Sequence, residues 1–296
     1  MAETEWPNQD FQVEMFDGVR GADGNPVQPV RLTPDDAFCF SCHRDVPCWN
    51  VCCHGADITL SPMDILRLSR HLAIEASDFL VEYTLPAPWG ATELPVAKLK
   101  MGGDEGKGPC PFVSAGGCAV YLDRPVTCRY YPLGLATVKM KGDEDKHDFH
   151  FLVKESHCQG HLEDQEQTVS GFTAEQGIEA YRDVDRGWMD ILMKTASWAS
   201  LGGPFGRDIP PSTRKMFFMV STDAGKFRRF VFATKFLDTY EIDAPAIEAI
   251  ETDDEALLML GFDWLKSVMF NEPALVMKEA VLQSAIAGAR TDLGAG

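Results

Sequence analysis

Nine cysteines occur in this chain of 296 residues, and all of them fall between Cys39 and Cys158. Thiolates are soft metal ligands and redox-active nucleophiles, so their crowding is the first chemical signal in the sequence. They divide into two half-sites. Cys39, Cys42, Cys48 and the adjacent Cys52 and Cys53 form one, and Cys110, Cys118, Cys128 and Cys158 form the other. In a reducing compartment disulfides are disfavoured, and an odd total cannot pair completely, which turns the reading from staples to metal ligands. A single free cysteine is most often a small buried hydrophobe. Nine crowded together, many beside Gly, Pro or polar residues, are not explained that way, although one of them is open to being a spare.

The choice of metal rests on spacing. A zinc ribbon asks for two Cys-x2-Cys knuckles, and the chain has one, Cys39 to Cys42. Irregular, cysteine-only spacing favours an iron–sulfur cluster, with zinc as the alternative and thiol redox chemistry behind both. His43, His54, His157 and His161 lie near cysteines. With thiolates sufficient for four-coordination, each reads as a hydrogen-bonding neighbour of the ligands or as a surface residue.

Local elements must bring these residues together. Thr33-Pro34-Asp35-Asp36 predicts a helix start with Thr33 as N-cap, so that a short helical turn sets Cys39 and Cys42 on one side at i and i+3. Leu133, Leu135 and Thr137 alternate before an acidic turn from Gly142 to Asp148, and Phe149, Phe151 and Val153 alternate after it. This pattern predicts a β-hairpin folded near residues 143–145, which carries Cys128 to the neighbourhood of Cys158. Cys110-Pro111 and Gly116-Gly117-Cys118 sit in turn-forming sequence, where backbone can wrap a compact centre.

Taken together, Cys42-x5-Cys48-x3-Cys52-Cys53, Cys110-Pro111-Phe112, Gly117-Cys118-x2-Tyr121-x2-Arg124-Pro125-x2-Cys128-Arg129-x-Tyr131-Pro132 and Cys158-Gln159-Gly160 resemble the YkgJ-type cysteine-cluster family, described as a zinc- or iron-chelating domain. The resemblance covers about residues 38 to 160. It implies a metal-ligand set of Cys42, Cys48, Cys52, Cys53, Cys110, Cys118, Cys128 and Cys158, which leaves Cys39 as the spare. The gap between Cys42 and Cys48 is longer than the commonest family pattern. A relative, flagellin lysine-N-methylase, pairs such a domain with methyl transfer, which supplies an enzyme alternative to a metal-cluster protein without catalysis.

Arg124 and Arg129, with Tyr121 and Tyr131, surround Cys128 in sequence. The arginines admit two readings, balancing the negative charge of a multi-thiolate site or pairing with surface carboxylates, and the first is favoured. They are therefore candidate cofactor-binding residues.

Beyond the cysteines the pattern turns helical. Ser61-Pro62-Met63-Asp64 reads as a capping box opening an amphipathic surface helix with Ile65, Leu68 and Leu72 on one face, followed by a shorter helix near Ala76 to Tyr83 and a strand around Leu94 to Met101. Gly102 to Gly108 is a loop. From Thr173 onward helices dominate: Trp188, Ile191 and Leu192 share a face, Gly202-Gly203-Pro204 is a break, and Thr252-Asp253-Asp254-Glu255 caps an apolar run. Asn271-Glu272-Pro273 is expected to start a final helix. Phe217 to Val220 and Phe227 to Ala233 are ambiguous between strand and buried helix. The glycines of residues 202–206 lack the lysine of a phosphate loop, and neither a dinucleotide fingerprint nor a His-Glu-x-x-His motif occurs.

The fold class expected is α+β and mainly helical: an N-terminal extension (1–33), an irregular cysteine-rich metal-binding domain with a small hairpin (34–160) and a helical region (161–296) that docks a protein partner or covers the cluster. A net charge of −18 opposes a phosphate backbone, so nucleic acid is not expected as a partner. No apolar run reaches a membrane span of about 18 residues, and the acidic opening residues do not resemble a secretory signal, which points to the cytoplasm.

Overall fold

The computed structural model describes residues 30–139, 146–200 and 209–292. The chain is α+β and mainly helical, with small antiparallel sheets, as expected. Most of the N-terminal extension, the centre of the acidic turn and the glycines of 202–206 lie outside the described residues. Two compact units form, and they do not follow a single cut at residue 160. One runs up to Ile58 and resumes over Leu99–Ala180, while the other comprises Thr59–Lys98 and the chain from Tyr181 onward. Among the described residues no helix is long and apolar enough to cross a membrane.

In the first unit, the strand Val30–Leu32 pairs antiparallel with Lys146–Leu152, which pairs in turn with Leu133–Lys139. The predicted hairpin is thus present, with Leu133 opposite Leu152 and Leu135 opposite His150. The helix expected at Thr33 does not form. The Asp36 carboxylate accepts hydrogen bonds from the Thr33 N–H at 2.6 Å and the Thr33 hydroxyl at 2.9 Å, and the Asp36 N–H donates to the Thr33 carbonyl at 3.2 Å. Those local bonds close a turn in place of a helical one, because aspartate competes for backbone donors. Cys39 consequently ends a strand, Ala37–Cys39, that pairs with Glu166–Thr168. One buried cluster here is Leu32, Phe38, Phe40, Leu133, Leu152, Val169 and Phe172, with Phe38 edge-on to Phe172 at 5.6 Å, and Val46, Phe112, Val120 and Ile178 are buried besides.

The second unit opens with the helix Pro62–Leu72. Its capping box is as predicted: the Ser61 hydroxyl accepts from the Asp64 N–H at 3.1 Å, and the Asp64 carboxylate accepts from the Ser61 N–H at 2.9 Å. This helix is not the surface helix expected. Helices Arg182–Ser200 and Pro211–Thr222 pack on it, burying Met63, Asp64, Ser69 and Leu66 along with Ile65 and Leu68. Both ambiguous aromatic runs are helical, within Pro211–Thr222 and Ala224–Ala233. Asp253 caps Asp254–Phe270 by accepting from the N–H groups of Glu255 and Ala256. Asn271 ends that helix and does not begin another, taking a left-handed conformation (φ 55°), and the last helix starts at Glu279. Phe227, Phe236 and Trp264 form an aromatic centre, with Trp264 donating to the Tyr240 hydroxyl at 2.9 Å. Trp188 and Trp264 are core residues.

Candidate metal centre

Loops carry the cysteines, and backbone hydrogen bonds pin the loops to one another. The Ser41 N–H donates to the Gly160 carbonyl at 3.1 Å and the Phe40 N–H to the Gln165 carbonyl at 3.0 Å, which holds the Cys42 segment beside the Cys158 segment. Gly160 is required for that approach: a Cβ there would lie 2.7 Å from the Phe40 ring and from the Ser41 carbonyl. Cys48 to Cys53 coil tightly around Val51–Cys53, and the Cys110 N–H donates to the Cys53 carbonyl at 2.7 Å. Val113–Ser114 pairs with Gly117–Cys118 in a small hairpin. Onto it the first loop reaches with Arg44, donating to the Gly116 carbonyl at 3.0 Å, and Asn50, donating to the Ser114 carbonyl at 3.3 Å. Cys128 lies on the short helix Val126–Tyr130.

Eight thiols are linked electrostatically or by hydrogen bonds to at least one other member or to Arg124. Burial, followed by the thiolates of Cys52, Cys48 and Cys158, pushes the Cys42 thiol up to about 11. Cys52 is raised by its hydrogen bond to Cys53 and then by burial. Cys110 and Cys118 are raised first by burial and also by Cys52. Cys158 is raised by burial and also by Cys48. Cys128 is exposed and within electrostatic reach of Arg124. Cys39, exposed on its strand opposite Glu166, stands apart.

Against this tendency to stay protonated, backbone N–H groups are aimed at sulfur. Phe112 and Val113 donate toward Cys110, Val120 toward Cys118 and Gly160 toward Cys158, and each opposes the rise in that thiol's pKa. The Gln159 N–H donates to Cys48 Sγ at 3.2 Å. Donors aimed at sulfur favour the thiolate, the form that binds metal. Sequence reasoning missed these amides, although the residue two positions after Cys110, Cys118 and Cys158 is the donor each time. Pro111, with no N–H of its own, marks one such turn.

The two arginines separate by role. Arg124, nine-tenths buried, lies over the Tyr121 ring at 3.9 Å, donates to the Tyr121 carbonyl at 2.6 Å and to the Gln176 side chain, and helps to hold the Cys118 and Cys42 thiols down. Arg129 donates to the backbone carbonyls of Arg124 (3.1 Å), Gln176 (2.8 Å) and Leu122, so it braces the loop that presents Arg124. Tyr131 was grouped with these arginines in the sequence, but its hydroxyl is buried facing Cys158 and Glu155, with no well-formed hydrogen bond to either.

The histidines are engaged elsewhere. His43 bonds Glu163 at 3.2 Å, His54 donates to the Asn50 carbonyl at 3.1 Å, His157 lies 3.6 Å from Glu155 and His161 donates to the Val153 carbonyl at 3.1 Å. Among the described residues, no three His, Cys, Asp or Glu side chains stand close enough to hold an ion as they are. The chemistry of the donor set nonetheless fits a thiolate-bound metal group: sulfur ligands on pinned loops, amides directed at them and one buried guanidinium beside them.

Residues 41–159 match the family model CxxCxxCC, a putative zinc- or iron-chelating domain. No curated protein and no solved structure matches the chain. The segment is a metal-binding module of the cysteine-cluster kind.

Proposed function

We propose that this metal-binding module holds an iron–sulfur cluster through Cys42, Cys48, Cys52, Cys53, Cys110, Cys118, Cys128 and Cys158 and serves an electron-handling or accessory role. The observation that carries the reading is the set of backbone N–H groups directed at Cys48, Cys110, Cys118 and Cys158. Such bonds to sulfur stabilise the anionic ligand and tune a cluster's potential. Arg124 offsets part of the thiolate charge, Arg129 fixes Arg124 in place, and Tyr131 with the Phe40 ring covers the Cys158 side. When bound, an iron–sulfur cluster supplies one-electron chemistry.

The test is anaerobic purification with absorption spectroscopy and metal analysis on one sample. Broad absorption near ~400 nm with about four iron atoms per chain, or a multiple, is the expected result. A colourless protein with stoichiometric zinc overturns the reading and makes the module a structural cage.

A further inference from the structure

A buried side-chain donor beside the cysteines lacks a well-formed hydrogen bond. The Tyr131 ring packs against the buried cluster of the first unit, edge-on to Phe40 at 6.0 Å, and Cys158 packs against the same cluster. Backbone bonds fix both residues. The Tyr131 N–H donates to the Thr127 carbonyl at 3.3 Å, the Val153 N–H to the Pro132 carbonyl at 2.8 Å and the Cys158 N–H to the Glu155 carbonyl at 3.0 Å. The Tyr131 hydroxyl is thereby held away from solvent, facing the Cys158 sulfur and the Glu155 carboxylate.

A phenol is protonated at neutral pH and burial adds to that, so this oxygen has a proton to donate. A donor shut away from water without a good acceptor is costly and uncommon. A neutral thiol is a weak acceptor, whereas an anionic sulfur is a strong one. The amides aimed at Cys48, Cys110 and Cys118 belong to the backbone. Tyr131 is a side chain, and a single substitution removes its donor.

We propose that Tyr131 sets the reduction potential of the centre: its hydroxyl donates to Cys158 Sγ when that sulfur is a cluster-bound thiolate. A donor at sulfur stabilises the more negative, reduced state and so raises the potential. This inference rests on the iron–sulfur reading above.

The test is redox titration of the full, cluster-loaded chain, followed by absorption, with iron counted on the same sample. Tyr131→Phe keeps the ring on Phe40 and removes only the hydroxyl. Iron content is expected to stay the same while the potential falls by about 59 mV, a tenfold change in a one-electron equilibrium. The same fall is expected when Tyr131→Phe is made in a Glu155→Gln background. A fluorinated tyrosine at position 131 keeps the shape, strengthens the donor and is expected to raise the potential. A shift of no more than about twofold, about 18 mV, in an iron-loaded Tyr131→Phe protein overturns this inference alone. So does a fall that vanishes in the Glu155→Gln background, because the hydroxyl then acts through the carboxylate. Should Tyr131→Phe lose its iron, the fluorinated protein decides, and an unchanged or lower potential there overturns the inference. A colourless parent protein holding zinc overturns the iron–sulfur reading and this inference with it.

Discussion

The two compact units are held together by different physics. In the second, large apolar side chains vanish from solvent: Phe217, Phe227, Phe262, Ile191, Leu192, Leu257 and Leu265 are all fully buried, and its helices are capped by Ser61, Asp223, Asp243 and Asp253. In the first, one buried cluster gathers around Phe38, Phe40 and Phe172 with Cys158 packed against it, and the cysteine loops bury only a few apolar side chains of their own, Val46, Phe112 and Val120, while leaving Cys42, Cys52 and Cys128 exposed. Burial of apolar area stabilises the second unit on its own terms. The loops of the first depend on backbone hydrogen bonds between irregular segments and on whatever the thiolates bind, since metal-binding free energy is folding free energy where a site does not exist in the unfolded chain. The second unit rests on its core, and the first is expected to lean more heavily on the metal it binds.

Removing the metal is the most severe way to break that contrast. A structural metal can contribute on the order of 10 kcal/mol, comparable with the ~5 to 15 kcal/mol of a whole domain. Chelation is expected to expose the amides of residues 41–53, 110–128 and 154–160 to hydrogen exchange while the helices from Arg182 onward stay protected. Loss of protection in both units together would show that the second has no stability of its own.

A core truncation probes the other side. Phe262 is fully buried, its ring 2.9 Å from where a Cβ on Gly187 would stand. Phe262→Ala is expected to cost about 3 to 5 kcal/mol in denaturant unfolding of the second unit. Metal content per folded chain should not change. A matching loss of metal would mean that the first unit's loops lean on this core.

Gly160→Ala is a milder test of the first unit. The added methyl group would meet the Phe40 ring and the Ser41 carbonyl at 2.7 Å, close to the amide that faces Cys158. Forcing those groups apart is expected to cost about 1 to 3 kcal/mol and to lower the metal content of purified protein. Unchanged melting temperature and full metal occupancy would show that the two segments need not approach so closely.

What was legible in the sequence follows the same division of forces. The capping box at Ser61, the cap at Asp253 and the hairpin at Leu133 to Val153 are local patterns whose bonds lie within a few residues or across one turn, and the structure carries all three. The clustering of the thiols was legible from their number, and their grouping with Arg124 from the density of residues around Cys128. Thr33 failed because a proline after a threonine serves a turn as well as a helix, and the Asp36 side chain settled the competition. Asn271 failed because helix starts and left-handed helix ends draw on the same residue type. The burial of Helix Pro62–Leu72 on most sides was invisible because its partners, Arg182–Ser200 and Pro211–Thr222, lie more than a hundred positions away and its heptad-like face records only one of the contacts. The amides aimed at sulfur are backbone, and composition says nothing about where backbone points.

The last contrast concerns pH and changes a slope more than a height. Asp185, on helix Arg182–Ser200, is buried with neither carboxylate oxygen in a well-formed hydrogen bond. It faces the buried Asp64 carboxylate, while the Ser61 hydroxyl and the Met63 N–H partly offset the repulsion. Burial first, and Asp64 second, hold its pKa well above the usual 3.8, so the folded chain keeps a proton that the unfolded chain has lost. Stability from this group is full below about pH 3.8 and declines as pH rises toward the folded-state value, because the folded state binds more protons across that window. Asp185→Asn keeps the shape and removes the titration. It is expected to flatten the pH dependence of melting for the second unit and to leave the variant more stable than the parent at neutral pH, with the gap closing as the solution is acidified. A gap that widens on acidification would mean that Asp185 is ionised in the folded protein and that an unseen donor, outweighing Asp64, stabilises its charge.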